Sequence, residues 1–274
     1  PAERFGKPVA RLGLASHLRT NITADDVSYA IDRGIGFVNW LGFAEQSEVD
    51  ADPFRTAIAS LGAKRDEIVV CVQFGARTAE DARTEFRSVL NALCTDYVDV
   101  VTLYYVESRE EWDAICAPGG VMEFCRAARK DGAIRRIGVT SHQRPLAAEF
   151  ARSGELDTLM IRYNAAHRGA ERDVFPAAGE LNIPVICFTA TRWGALMQQT
   201  PGDPTGFAPP PASAWYRFVL QNPAASIVLS APHNRAELEA DLEVLSTTGP
   251  LAGEEYERLA AHGERVRQHA GRFA

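Results

Sequence analysis

Short apolar runs alternate with amphipathic stretches along most of this chain. Eight runs are rich in β-branched and aromatic residues and are apolar at consecutive positions, not at every second one. This pattern predicts strands of a parallel sheet that is covered on both faces. The predicted strands lie at 9–15, 37–40, 68–72, 97–103, 134–139, 156–161, 184–188 and 225–229.

The segments between these runs carry apolar positions at helical spacing. Thr23, followed by Asp25 and Asp26, has the sequence of a helix N-cap with acids in its first turn. The stretch 199–211 is rich in proline and glycine, which predicts a long loop, and a lid is one interpretation of it. Helices are predicted at 24–33, 53–61, 78–93, within 119–130, and at 145–153, 171–180, 214–221, 235–245 and 254–268.

Strict alternation of strands and helices over about 250 residues favours a closed (β/α)8 TIM barrel. We therefore predict an α/β fold with a single domain over residues 1–274 and one additional helix at the C-terminus. The main rival is an open, doubly wound sheet, which usually has a glycine-rich phosphate loop after its first strand. The stretch 11–17 lacks such a loop, and no Walker motif occurs in the chain.

Composition narrows the class of function. Of the 274 residues, 46% are hydrophobic and 24% are charged, and the net charge is -7. The negative charge argues against a nucleic-acid partner. No apolar run approaches the length of about 18 residues that a membrane span needs, and residues 1–7 lack a signal-peptide core. We expect a small-molecule ligand and no membrane partner, and the sequence does not indicate an oligomeric state.

The five cysteines form no CxxC pair. Cys71 and Cys187 lie inside apolar strands, where a thiol usually behaves as a small hydrophobic group. Iron–sulfur or metal ligation is therefore not expected. The pattern is typical of a reduced, cytoplasmic protein.

One short stretch, 34–44, combines the features around which the predicted site is built. Gly34 ends a helical pattern, because glycine readily adopts the left-handed conformation found after a helix. A buried strand follows, and Asn39 lies where that strand passes into a loop. In a βα barrel, the carboxyl ends of the strands carry the chemistry.

Six stretches resemble the aldo-keto reductase superfamily of NAD(P)-dependent barrels. Each stretch is weakly specific alone, whereas their shared order and spacing, from about residue 9 to residue 245, are fairly specific for the fold. They are 11–16 (RLGLAS), 34–39 (GIGFVN), 96–100 (DYVDV), 132–141 (GAIRRIGVTS), 162–164 (RYN) and 183–196.

This resemblance implies a catalytic tetrad at the barrel mouth. The family places an Asp after strand two, a Tyr five residues on, a Lys at the end of strand three and a His at the end of strand four. Its Tyr donates a proton as hydride arrives, Lys and Asp tune the pKa of that Tyr, and the His orients the substrate. The matching positions here hold Asn39, Ala44, Gln73 and Tyr104.

These four residues predict a different chemistry. Ala44 has no proton to donate. Asn39 and Gln73 can hydrogen-bond with each other, yet they carry no charge that would lower the pKa of a tyrosine. Tyr104 is a candidate proton donor, although a packing or substrate-contact role is the favoured interpretation because no cationic neighbour is predicted beside it.

The resemblance also implies a set of residues that would bind NAD(P). Thr140 and Ser141 hold the positions of a Ser-Asn pair that binds the nicotinamide amide, and Met160 replaces a Gln. Phe188 matches an aromatic residue on which the nicotinamide ring stacks. NADP(H) binding is weakly supported, because Glu237 holds a position where many members place a phosphate-binding Arg. The candidate phosphate loop after strand eight contains Ser230, His233, Asn234 and Arg235.

Other polar side chains follow predicted strand ends and suggest a pocket for a polar small molecule, with an anion as one alternative. An arginine there would bind a carboxylate, although hydrogen bonds that tie loops together are the better explanation for any single residue. A metal held by His17 and His142 is a remote alternative, since no carboxylate partner is evident. The substrate candidates are His17, His142, Arg162 and Trp193, and Asn164, His167 and Arg192 lie near them.

Three functions remain open. The first is an enzyme whose rebuilt mouth performs a step without hydride transfer, such as an isomerisation, elimination or cyclisation. The second is an NAD(P)H-dependent carbonyl oxidoreductase in which Tyr104 or a water donates the proton. The third is a non-catalytic barrel that binds a ligand or partner. The fold alone does not choose among them.

Overall fold

Eight parallel strands form the centre of the molecule. The structure is a computed structural model that describes residues 3–17, 20–44, 52–247 and 249–269. Each strand pairs with the next in chain order, and β8 closes the sheet on β1. The predicted (β/α)8 barrel is therefore confirmed. The strands are β1 Leu12–Ala15, β2 Phe37–Trp40, β3 Val69–Phe74, β4 Val98–Leu103, β5 Ile134–Ser141, β6 Thr158–Arg162, β7 Val185–Phe188 and β8 Ala225–Ser230.

Ten α-helices surround the strands in the described part of the chain, and the last of them is the predicted C-terminal helix. The helices are α1 Ala24–Asp32, α2 Pro53–Ala59, α3 Ala79–Leu93, α4 Arg109–Cys116, α5 Val121–Lys130, α6 Arg144–Arg152, α7 Ala170–Glu180, α8 Ala212–Gln221, α9 Arg235–Leu242 and α10 Gly253–His269.

Helix α4 is absent from the sequence-based prediction, which is wrong in its number of helices. Ser108 caps this helix by accepting a hydrogen bond from the backbone N–H of Glu111, and Glu110 adds a second acid to the first turn. Trp112 and Ile115 form its buried face. The Ser-x-x-Glu spacing is a helix-start signal, so the sequence does contain the evidence for α4.

The predicted signals around α1 are confirmed in detail. The Thr23 side chain accepts from the backbone N–H of Asp26, and the Asp26 carboxylate accepts from the backbone N–H of Thr23. This reciprocal pair satisfies two backbone donors that a helix start leaves open. Gly34 has a φ of +109°, a conformation that residues with a Cβ rarely adopt, so the chain turns there from α1 into β2.

The barrel interior is packed with side chains and is narrow. Phe5 lies below the strands at their amino ends, with its ring centroid 5.2 Å from that of Phe37. Gly138 leaves room for its neighbours, because a Cβ there would lie 2.5 Å from the Cγ2 atom of Thr158. The inward-facing apolar layer also contains Val69, Cys71, Val100, Met160, Ile186, Ile227 and Leu229.

A buried charge cluster fixes the amino ends of β3, β4 and β5. Asp99 is fully buried, and its carboxylate lies 2.6 Å from Lys7 Nζ, 2.7 Å from Arg65 Nη1 and 3.3 Å from Arg135 Nη1. The ring of Tyr97 lies beneath the same cations, with Arg135 3.9 Å from its centroid. Because a buried carboxylate needs cationic partners, this cluster positions the end of the barrel opposite the mouth.

The predicted single domain over 1–274 also covers positions 1–2, 18–19, 45–51, 248 and 270–274, which lie outside the described residues. The five cysteines are described and are free thiols. Burial raises the pKa values of the Cys71 and Cys187 thiols, in agreement with their predicted role as apolar packing groups. None of the helices that the structure describes combines the length and the apolarity that crossing a bilayer requires.

Candidate functional site

Three strands bring neutral polar side chains together just inside the carboxyl end of the barrel. Side chains alternate in direction along a strand, so Asn39, Gln73 and Thr140 all point inward near the ends of β2, β3 and β5. Gln73 Nε2 donates to Asn39 Oδ1 at 2.9 Å and to Met160 Sδ at 3.1 Å. Thr140 Oγ1 donates to Gln73 Oε1 at 2.9 Å. The expected hydrogen bond between Asn39 and Gln73 is confirmed.

We name these four residues, Asn39, Gln73, Thr140 and Met160, the amide network. Each is at most 4% exposed. The Gln73 amide uses both of its N–H donors and its carbonyl oxygen within the network, so it needs no water or ligand to be satisfied. The network carries no ionisable group. It closes the floor of the mouth as a neutral layer.

The contact between Asn39 and Gln73 can be tested with a pair of charged substitutions. We expect Asn39→Asp and Gln73→Lys each to lose at least about 3 kcal/mol of unfolding free energy, because each buries one charge opposite a neutral amide. The double variant should recover at least about 2 kcal/mol relative to the sum of the single losses, because its charges pair. Urea unfolding of all four proteins measures this coupling. Strictly additive losses would show that the two side chains do not touch.

Ala44 and Tyr104 border the mouth without contributing charge. A Cβ built on Gly75 would lie 3.5 Å from Ala44 Cα, so Ala44 lies beside the end of β3. The backbone N–H of Tyr104 donates to Phe74 O at 2.9 Å, which extends the pairing of β4 with β3. The Tyr104 ring packs on Tyr105 with a centroid separation of 4.1 Å. These contacts agree with a packing role for Tyr104, and its role in any reaction stays a prediction.

An aromatic wall rises above the ends of β4, β5 and β7. Tyr105 stacks on His142 with centroids 4.4 Å apart and planes 19° apart. Phe188 lies 6.5 Å from Tyr105 and 5.8 Å from His142, edge to face in both cases. Tyr105 has a φ of +45°, a strained value for a residue with a bulky side chain. The sequence analysis missed Tyr105, although the Tyr-Tyr pair at the end of β4 was visible.

Glu107 is a second residue that sequence reasoning missed. Its Oε1 atom accepts from the backbone N–H of His142 at 2.8 Å and lies 3.3 Å from His142 Nδ1. The pKa of His142 is lowered, first by burial and then by the positive charge of Arg162, and Glu107 opposes this shift. Two strand ends, β4 and β5, thus place a carboxylate beside an imidazole at the mouth.

Positive charge gathers next to this pair. Arg162 is the last residue of β6. Burial lowers its pKa, Tyr105 and Glu107 oppose this shift, and the charges of Arg144 and Arg192 add to it. His167, in the following loop, is half-buried among the same arginines, and these effects lower its pKa to about 4. His167 is therefore neutral near pH 7. Arg192 Nη1 donates to Val266 O at 3.0 Å and so ties the loop after β7 to α10.

The remaining candidates have other partners or lie at the surface. The His17 ring packs edge to face on His233 with a centroid separation of 4.9 Å. Trp193 is 75% exposed and lies in a loop where Thr189, Arg192 and Trp193 all have positive φ values. Asn164 is fully buried, and its Nδ2 donates to Thr189 O at 2.8 Å, which agrees with a structural role. No group of three or more potential metal ligands occurs among the described residues.

The predicted lid is held in place by α10. Asp203 Oδ1 lies 2.8 Å from His262 Nδ1 and 2.6 Å from Arg265 Nε. The backbone N–H of Thr200 donates to Asp203 Oδ2 at 2.6 Å. The loop 199–211 is thus anchored to the C-terminal helix, and motion of the loop stays a prediction.

The residues predicted to bind the nicotinamide amide have protein partners. The Thr140 hydroxyl donates within the amide network. Ser141 is buried, and its Oγ accepts from the backbone N–H of Gln143 at 3.0 Å. Phe188 is half-buried at the mouth, so one face or edge of its ring remains available for stacking. A cofactor role for these residues stays a prediction.

The loop after β8 is likewise engaged with the protein. Ser230 Oγ donates to Asp241 Oδ2 at 2.6 Å on the outside of the barrel. Asn234 caps α9 by accepting from the backbone N–H of Glu237 at 3.0 Å. The Glu237 carboxylate accepts from the backbone N–H of His233 at 2.9 Å. Arg235 contacts Asp26 at 3.0 Å and Glu239 at 2.8 Å, and it stacks 3.5 Å from the Tyr29 ring centroid.

The protonation of Asp241, which binds Ser230 of this loop, makes the stability of the protein depend on pH. Burial raises its pKa to about 6, although hydrogen bonds from Ser230 and Tyr216 oppose the shift. The folded state therefore binds more protons than the unfolded state between about pH 4 and pH 6, so stability is lost as the pH rises through this window.

We expect Asp241→Asn to remove this dependence. Relative to that variant, the native protein should gain up to about 3 kcal/mol of unfolding free energy between pH 7 and pH 4. Urea unfolding across this range measures the difference, with the exposed Glu257→Gln as a surface control. A difference that does not change with pH would contradict the assignment.

The family model for the aldo/keto reductase family matches residues 21–264. The match covers most of the chain, and the chain belongs to the aldo/keto reductase family. No curated protein matches the sequence.

Solved aldo-keto reductases share the architecture. The holo form of an aldo-keto reductase from Bacillus halodurans is 16% identical, with a TM-score of 0.74. An aldo/keto reductase from Klebsiella pneumoniae in complex with NADP and acetate is 16% identical, with a TM-score of 0.73. A Klebsiella pneumoniae aldo-keto reductase in complex with NADPH is 17% identical, with a TM-score of 0.71. Each comparison covers 93% of this chain and 92% of the other, and at this identity it shows the fold.

Proposed function

We propose that the barrel mouth binds a small polar organic anion, and that any reaction there proceeds without hydride transfer. The observation that carries this proposal is the amide network. Its neutral side chains stand where the family resemblance implies an ionised acid and base, and Ala44 stands where it implies the proton donor. Standard carbonyl reduction needs a tyrosine whose pKa is lowered by a nearby cation. The four positions that match the tetrad, Asn39, Ala44, Gln73 and Tyr104, do not supply that pair.

Most of the residues that the family resemblance assigns to NADP(H) already bind other protein groups or lack the expected polar atoms. Thr140 is committed to Gln73, and Met160 offers a thioether in place of an amide. Arg235 is paired with acids of α1 and α9. The Glu237 carboxylate accepts from the backbone N–H of His233, just before α9, where it would repel a 2′-phosphate. These contacts leave Phe188 as the candidate that still favours a nicotinamide.

The arginines near the end of β6 support a negatively charged ligand. Arg162 is half-buried at the end of β6, and Arg144 and Arg192 act on it electrostatically. Nearby His167 is neutral near pH 7, so the cluster is relieved of one positive charge while its arginines stay charged. A carboxylate bound by Arg162 would offset the repulsion among these groups. The aromatic wall of Tyr105, His142 and Phe188 would contact the apolar part of such a ligand.

The second candidate is an NAD(P)H-dependent carbonyl oxidoreductase in which Tyr104 or a water donates the proton. Phe188 and the NADP complexes of the structurally similar reductases favour it. A non-catalytic barrel would share the ligand site of the main proposal and lack turnover. We place the protein in the cytoplasm, since its free cysteines suit a reducing compartment.

Titration with NADPH separates the main proposal from the oxidoreductase. We expect micromolar NADPH to leave the tryptophan fluorescence unchanged and to give no turnover with a generic aldehyde. Absence of binding would remove the oxidoreductase candidate. Tight binding together with aldehyde turnover would contradict the main proposal, and Tyr104→Phe would then decide whether that phenol donates the proton.

The anion site is tested by thermal shift with malonate, benzoate and 2-oxobutanoate. At least one carboxylate should raise the melting temperature, and its neutral amide should not. Arg162→Gln should weaken binding by about 10- to 100-fold, because it removes a charge-assisted hydrogen bond. Arg152→Gln is the matched control, since Arg152 ends α6 at the opposite end of the barrel. If the Arg162→Gln variant binds the carboxylate as tightly as the native protein does, Arg162 is not part of the anion site.

A further inference from the structure

We propose that His142 is a general base at the mouth, oriented by Glu107, and that it removes a proton from the carbon next to the keto group of a small 2-oxo acid. This inference rests on the proposed function, because it uses the same anion site. It adds a substrate class and a reaction: enolisation followed by isomerisation or epimerisation. The carboxylate of the 2-oxo acid is the group that Arg162 would bind.

Two adjacent strand ends place the carboxylate and the imidazole together. Glu107 lies in the loop after β4, and its backbone N–H donates to Glu111 Oε2 at 3.0 Å in α4. Glu111 in turn contacts Arg77 at 2.7 Å. The Glu107 carboxylate therefore rests on an anchored loop, where it accepts from the His142 backbone and lies 3.3 Å from Nδ1.

This contact favours one tautomer of the imidazole. A carboxylate only accepts hydrogen bonds, so Glu107, 3.3 Å from Nδ1, stabilises a proton on that nitrogen. Nε2 is then the basic nitrogen of the neutral ring. Within the part of the chain that the structure describes, no hydrogen bond to Nε2 of His142 is formed, and 25% of the side chain is exposed. The imidazole is thus partly open to a ligand.

The ring is also held in orientation. Tyr105 stacks on one face of the imidazole, and Phe188 meets it edge to face. The left-handed backbone of Tyr105 costs about 1–3 kcal/mol, so the surrounding structure must maintain it. A rigid ring with one oriented nitrogen and one open nitrogen is the arrangement that a positioned base requires.

Burial and a nearby positive charge also favour the neutral form of His142, which is the form that a base needs. Burial and the nearby Arg162 lower the pKa of His142 below its ordinary value. The ring is accordingly neutral near pH 7, and it can accept a proton rather than donate one.

The chemical step balances without an oxidant or a reductant. Nε2 takes the proton from carbon 3 of the 2-oxo acid, and the C–H electron pair forms a carbon–carbon double bond. The π electrons of the keto group move to its oxygen, which becomes an enolate beside Arg162. The imidazolium then returns a proton, or a deuteron after exchange with solvent, to carbon 3 or to the oxygen. Epimerisation results when solvent protonates the opposite face of carbon 3 and the imidazolium loses its proton to solvent.

Nitrogen NMR tests the dyad without a substrate. In protein labelled with ¹⁵N-histidine at pH 7.5, the His142 signals should show a protonated Nδ1 and an unprotonated Nε2. Glu107→Gln should remove this preference for one tautomer. A protonated Nε2 in the native protein would overturn the inference.

Proton exchange tests the reaction. With 2-oxobutanoate in D₂O, we expect loss of the carbon 3 proton signal at a rate that falls at least about 100-fold in His142→Gln and about 10-fold in Glu107→Gln. His142→Gln should still show a thermal shift with this probe, smaller than that of the native protein, because Arg162 remains to bind the carboxylate. His269→Gln is the matched control and should exchange at the native rate, since His269 is the exposed last residue of α10.

The two proposals fail in different ways. Binding of 2-oxobutanoate by the native protein without exchange, or exchange that persists in His142→Gln, overturns the general base and leaves the anion site standing. Failure of every carboxylate to bind overturns the proposed function and the inference that rests on it.

Discussion

The side-chain amide of Gln73 is the interaction on which the mouth of this barrel depends. It joins β3 to β2, β5 and β6 through Asn39, Thr140 and Met160. A buried amide with an unmet donor or acceptor costs about 1–3 kcal/mol, so each partner has to be present for the others to remain buried. The narrow interior beneath it is packed with apolar side chains, which offer no polar group to replace a lost partner.

Two parts of the carboxyl end of the barrel differ in character. The polar groups that follow β8 bind one another or the neighbouring helices: Ser230 binds Asp241, and Arg235 binds Asp26 and Glu239. Around β4, β5 and β6, the mouth carries charges and rings that are only partly buried. The ligand and any chemistry are therefore proposed for the second region. This division is the reason that an anion site, and not a nucleotide site, is the function we propose.

Much of the fold was predictable because it depends on local patterns. Consecutive apolar residues identified all eight strands, since a strand with both faces covered leaves little room for polar side chains. Thr23 and Gly34 marked the ends of α1 through local backbone chemistry. Helix α4 was missed although Ser108 and Glu111 carry its start signal.

The site was predictable only in part, because its contacts join residues far apart in the sequence. The hydrogen bond of Asn39 with Gln73 could be foreseen once both were placed at adjacent strand ends. The pairing of Arg235 with Asp26 could not, since it joins α9 to α1 across the closure of the barrel. Glu107 was missed for a similar reason: its role depends on the position of His142 on the next strand.

The Gln73 side-chain amide offers the most direct test of this account. In protein labelled with ¹³C and ¹⁵N, its two N–H signals can be assigned by their loss in Gln73→Leu. The account predicts that both protons exchange slowly with water and that their shifts do not move when NADPH is added. Fast exchange, or a shift that follows the NADPH concentration, would contradict a closed and neutral floor beneath the mouth.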